Sequence, residues 1–146
     1  MVPQPDPGQP TTTLLRTAYN AMSAAIYRAV AQAAGTGLRP AHGNALEMLA
    51  IEDGLRLTDI ATQAGMASQS MGEIVDDLVS KGYLRRLEDP ADRRAKRIYL
   101  TDKGRQTAEA GEIAIRQAEE QIQAALGPRQ YQQLRHNLAA ISQLDL

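Results

Sequence analysis

Apolar side chains at Leu14, Leu15, Ala18, Met22, Ala25, Ile26, Ala29, Val30 and Ala33 keep the three-and-four spacing of one helical face. Thr11 or Thr12 is a natural N-cap for this first helix, and Gly35 a natural stop. Pro40 suits the first turn of a second helix carrying Ala45, Leu46, Met48, Leu49 and Ile51, which Asp53-Gly54 ends. Two short helices come next. Thr58 caps one running from about Asp59 to Ala64, Gly65 turns the chain, and Ala67 or Ser68 opens the other, with Met71, Ile74, Val75 and Leu78 on one face. Lys81-Gly82 stops that helix, and the pair has helix-turn-helix spacing.

The period then changes from helical to two. Leu84 and Leu87 lead into a turn built on Asp89-Pro90 and Asp92, and Ile98 and Leu100 alternate with Arg97 and Tyr99, the pattern of a β-hairpin. Thr101 caps a long helix from Asp102 to about Leu126. Gly127-Pro128 breaks it and starts a last helix whose seam is Tyr131, Leu134, Leu138, Ile141 and Asp145. The expected fold is mainly α, with a small hairpin beside a helix-turn-helix. Residues 1–10 hold four of the seven prolines and predict a flexible arm before one domain over 11–146.

Charge gives the hairpin a purpose. The chain is nearly neutral at −1, yet Lys81 to Arg105 holds nine basic residues against four acidic, so that stretch carries +5 and the remainder −6. Arg93, Arg94, Lys96 and Arg97 would project from a narrow ribbon that fits a DNA groove or backbone, and Lys103 would meet phosphate just beyond it. The plainer reading is a solvated tip whose charges protect an edge strand from pairing. At the front of the second short helix stand Ser68, Gln69 and Ser70. Gln can pair with adenine N6 and N7, and Ser with several bases or a phosphate. Glu73, Asp76 and Asp77 would repel phosphate, so they are expected to face solvent or pair with nearby arginines.

Composition removes most other chemistry. There is no cysteine, hence no disulfide, thiolate zinc site or cysteine redox sensor, and the two histidines, His42 and His136, have no metal-ligand spacing. Without a Gly-rich phosphate loop or a nucleophile motif, neither an enzyme nor a cofactor is expected. No run reaches the roughly 18 apolar residues of a membrane span, so a cytoplasmic protein with no membrane contact is expected. The helices flanking Gly127-Pro128 carry Ile122, Ala125, Leu126, Leu134, Leu138 and Ile141, apolar seams that call for a two-fold homodimer.

Three stretches stand out together, Lys81-Gly82-Tyr83-Leu84-Arg85-Arg86, Asp89-Pro90-Ala91-Asp92-Arg93-Arg94-Ala95-Lys96-Arg97 and Leu100-Thr101-Asp102-Lys103-Gly104. On these, and over about Leu38 to Gly104, the chain resembles the MarR family of winged-helix transcription regulators. The resemblance implies a DNA-binding core over 38–100 and dimerisation helices over 11–37 and 101–146. It also implies a wing reaching the minor groove of a pseudo-palindromic duplex site, with Asp92 orienting Arg94 for insertion, and a repressor released by a small aromatic or phenolic acid held between the dimer helices and the winged domain. Tyr19, Met22, Tyr27, His42 and Met48 fall near that crevice in the family's layout. One departure matters. Where members often carry Thr or Ser followed by Arg in the recognition helix, this chain has Gly72-Glu73, so base reading shifts to Gln69 and Ser70. The rival from another class is a winged-helix protein-interaction module that uses the acidic face of the same helix and binds no DNA.

Overall fold

The computed structural model describes residue 6, residues 8–35 and residues 37–145. Most of the arm expected over 1–10 lies outside the described residues. Six helices and three short strands follow in the order α1 (Thr11–Ala34), α2 (Pro40–Ile51), β1 (Leu55–Arg56), α3 (Leu57–Gln63), α4 (Ser68–Ser80), β2 (Leu84–Asp89), β3 (Asp92–Leu100), α5 (Asp102–Leu126) and α6 (Pro128–Ile141).

Apolar spacing gathers α2, α3, α4 and the sheet around one core. Ala45, Leu46 and Leu49 meet Ile60 and Ala61 of α3, the Met71, Ile74, Val75 and Leu78 face of α4, and Leu55, Tyr83, Leu84, Ile98 and Leu100 from the sheet side. Outside this unit α1 packs along α5, and α6 turns back against α5 after Gly127. Beyond Tyr131, residues 132–140 of α6 are all exposed.

The sheet has the antiparallel order β1-β3-β2. Strand β1 is absent from the sequence expectation because two residues are too few to show a period. It pairs Leu55 with Ile98 and Arg56 with Arg97. Its presence also explains why Thr58 does not cap α3. The chain leaves a strand at Arg56 and enters the helix at Leu57, so Thr58 already lies in the first turn. Likewise Pro10, not Thr11 or Thr12, stands at the N-cap of α1, and Asp145 lies past the end of α6. The Thr101 cap is as expected, accepting from the Gly104 N–H at 3.1 Å.

Gly104 sets how closely α5 sits on the wing. A Cβ there would collide with the backbone carbonyl oxygen of Tyr83 and stand 3.1 Å from Leu100 Cδ2. The Thr101 hydroxyl, at 2.6 Å from the Gly82 carbonyl oxygen, ties the same corner. Gly104→Ala is therefore expected to lower unfolding stability by about 1 to 3 kcal/mol in urea titrations, the usual cost of overpacking a tight contact. Gly111→Ala, in the same helix with nothing near its Cβ position, should leave stability unchanged or raise it by about 0.5 to 1 kcal/mol. Equal losses in both variants would refute the close-approach explanation.

Candidate nucleic-acid interface

The candidate reading head is the front of α4. Ser68 is its first residue, Ala67 precedes it at the cap, and no side chain caps the helix. First-turn N–H groups are consequently free for an anion, and phosphate is the anion a duplex offers. Ser68, Gln69, Ser70 and Glu73 are all exposed. Gln69 and Glu73 are four apart and share the face opposite the buried Met71, Ile74, Val75 and Leu78.

The other two carboxylates of α4 are neutralised by the chain itself. Asp76 pairs with Arg86 of β2. Asp77 collects Lys81, Arg39 at 3.5 Å and His42, whose Nε2 lies 2.9 Å away, although poorly aimed for a hydrogen bond. His42 is fully buried, and its Nδ1 accepts from the Arg39 N–H at 2.9 Å. Burial, working against the attraction of Asp77, lowers its pKa, so the ring is neutral at physiological pH. His42 thus packs the start of α2 against α4, a role the sequence reading did not give it.

In the wing the four tip cations separate into two groups. Arg93 and Arg94 are exposed at the start of β3, with no carboxylate paired to them among the described residues. The Arg94 N–H donates to Asp92 Oδ1 at 3.0 Å, a contact to its backbone and not its guanidinium. Lys96 lies 3.4 Å from Glu88 across the hairpin. Arg97 does not project. Its Nη1 donates to the Gly54 carbonyl oxygen at 2.9 Å, and its Nε lies 3.1 Å from Asp89 Oδ2. Lys103 also turns inward, donating to the Lys81 carbonyl oxygen at 2.8 Å with its ammonium 4.1 Å from the Tyr83 ring centroid. Of the proposed phosphate contacts, Arg97 and Lys103 are thus occupied in holding the wing.

Sequence reading took Asp89 for turn chemistry, and here it missed the pivot of the site. Its side chain is 1% exposed. Arg56 donates to Oδ2 through Nε at 2.9 Å and Nη2 at 2.7 Å, while the Ala91 N–H donates to Oδ1 at 3.0 Å. The Ala91 hydrogen bond, Arg56 and Arg97 together hold its carboxyl down at about 2. An Arg at the end of a two-residue strand gives no pattern by which to find it.

Three of the five candidate ligand residues come together. Tyr19, Met22 and Tyr27 line a cavity of about 200 Å³ with Ile26, Asn44 and Glu47, between α1 and the start of α2. His42 and Met48 do not line it, because His42 is buried beside Asp77 and Met48 packs on the winged core. Among the described residues, no group of three or more His, Asp or Glu is placed to hold a metal ion, and no helix is long and apolar enough to cross a membrane.

Comparison with known proteins agrees with this geometry. Residues 36–95 match the model of the MarR family. A probable transcriptional regulator from Pseudomonas aeruginosa is similar at 27% identity, covering 90% of this chain and 96% of that one with a TM-score of 0.74. The transcriptional repressor CouR, bound to a 23-mer DNA duplex, is similar at 26% identity over 97% of this chain and 100% of its own, with a TM-score of 0.79. MepR from Staphylococcus aureus, in complex with DNA, shares the fold at 24% identity, covering 93% and 99%, with a TM-score of 0.78. No curated protein matches the sequence.

The depressed Asp89 carboxyl sets a pH window. Its contribution to stability is complete above the unfolded-state value of about 3.9 and is lost as pH falls through about 2. The thermal midpoint is expected to fall across that interval. Asp89→Asn should start lower at neutral pH and decline less steeply in acid, and parallel curves for the two proteins would show that Asp89 is not the group responsible.

Proposed function

We propose that the chain, whose residues 36–95 match the MarR family model, is a homodimeric, sequence-specific DNA-binding transcriptional regulator acting as a ligand-released repressor. The observation that carries this reading is the pairing of an uncapped α4 N-terminus with two free wing arginines, Arg93 and Arg94. Phosphates bind the one and a narrow minor groove the other. CouR and MepR, each solved on DNA, share the fold, which supports a duplex as the partner and a cytoplasmic location as part of the same proposal. MarR-type proteins and these neighbours are transcriptional regulators and not enzymes.

Dimerisation is proposed through α1, α5 and α6. Leu14, Ile113, Leu134 and Leu138 are large apolar side chains left exposed on these helices, and a second copy is the commonest cover for such a surface. Reading a two-fold site then needs both α4 helices held about one duplex turn apart. The rival reading as a protein-interaction module is weakened by the ion pairs of Asp76 and Asp77, which leave Glu73 as the one unpaired acid on the exposed face of α4.

Selection of bound sequences from a random duplex pool, followed by fluorescence anisotropy over a salt series, tests the proposal. A steep fall of log K with log salt is expected for a DNA partner, and a flat slope with no selected sequence would overturn it. Arg94→Ala should weaken specific binding by about 1 to 3 kcal/mol with the dimer intact. Gln69→Ala should relax discrimination at one base pair per half-site, and Glu73→Arg should raise affinity for every sequence. Replacing Leu134 and Leu138 together with Ala is expected to shift sedimentation from dimer to monomer or unfold the chain, with DNA binding lost alongside. A wild-type monomer that binds a palindromic site one-to-one would refute the assembly.

A further inference from the structure

The cavity between α1 and α2 differs in charge from what a carboxylic acid ligand needs. No Lys, Arg or His lines either it or the narrower cleft beside it, which shares Ile26, Tyr27, Gly43 and Glu47 and continues towards α5. Its ionisable groups are instead two phenols, Tyr19 and Tyr27, and one carboxyl, Glu47. Among the described residues no cation is set against Glu47. Burial alone acts on its carboxyl, raising its pKa, whereas every other carboxylate whose ionisation is perturbed has its own arginine or lysine.

The Tyr27 ring is held in place. Its hydroxyl donates to the Pro40 carbonyl oxygen at 3.2 Å and lies so close over Gly43 that any Cβ there would collide with it. Burial and then the nearby Glu47 charge push this phenol up to about 12, so it stays protonated and cannot balance an anion either. An entering carboxylate would meet Glu47 with no compensating charge. A cation would meet a carboxylate, two tyrosine side chains and a methionine.

We propose that this cavity takes an organic cation carrying an aromatic ring, with Glu47 as its counter-charge and Tyr19 and Tyr27 as the walls, and not the aromatic acid that the family resemblance implies. A space of about 200 Å³ fits a single-ring ligand. The proposal deepens the ligand control put forward above and rests on that reading for its role in the cell, although binding itself can be measured without DNA.

Isothermal titration of the full chain with benzyltrimethylammonium, benzyl alcohol and benzoate separates the choices. The ammonium is expected to bind tightest and benzoate weakest. Glu47→Gln should lower affinity for the ammonium by about tenfold while leaving benzyl alcohol unchanged, the order of effect of a partly desolvated ion pair or cation–ring contact. Glu47→Lys should reverse the preference towards benzoate, with circular dichroism confirming that both variants remain folded. Benzoate bound more tightly than the ammonium by the wild type, equal affinity for all three probes, or an ammonium affinity indifferent to Glu47→Gln would each overturn the proposal. Anisotropy with an operator duplex is a separate readout. If the ammonium binds but leaves DNA affinity unchanged, the cavity assignment stands and the ligand-released repressor falls.

Discussion

Everything the wing presents depends on one buried carboxylate. Asp89 lies at the end of β2, and through Arg56 and Arg97 it joins all three strands, while its other oxygen closes the turn at Ala91. A buried charge is tolerable only when its partners are complete, and removal of one partner leaves the remaining charge uncompensated. With two guanidiniums and a backbone N–H the set around Asp89 is complete. Arg56 and Arg97 secure the wing, whereas Arg93 and Arg94 have no carboxylate partner among the described residues.

This division explains which parts of the site could be read from the sequence. Helix faces were legible from α1 to α6 because a 3.6-residue period repeats over many residues, and Leu78 or Val75 can only be core if Met71 and Ile74 are. The hairpin was legible from its change to a two-residue period and from Asp89-Pro90. Roles within the basic cluster were not. Arg94 and Arg97 are the same residue type three positions apart, and only the position of Gly54 and Asp89 in space shows that one is bound inward. The inward hydrogen bond of Lys103 is hidden for the same reason, since its partner is a carbonyl oxygen at the end of a helix twenty-two residues earlier. Local pattern cannot report a partner supplied by a turn or a helix end far away in sequence.

His42 illustrates the converse. The family's layout sets His42 near a ligand crevice, yet its environment is the interior, with the Arg39 N–H on one ring nitrogen and Asp77 beside the other. The first turn of α2 therefore serves two surfaces. Its Pro40 carbonyl and Gly43 backbone receive the Tyr27 hydroxyl on the cavity side, and His42 reaches α4 on the other. The cavity between α1 and α2 and helix α4 thus both adjoin one turn of backbone.

The tight contact at Gly104 acts as a fulcrum. Helix α5 leaves the wing at that point and runs for 25 residues, about 37 Å at the usual rise per residue. A rigid rod of that length pivoting by five degrees moves its far end by roughly 3 Å. With no side chain at Gly104, helix and wing meet backbone to backbone. In lever terms, a few ångströms at the far end of α5 correspond to only a few degrees at the wing.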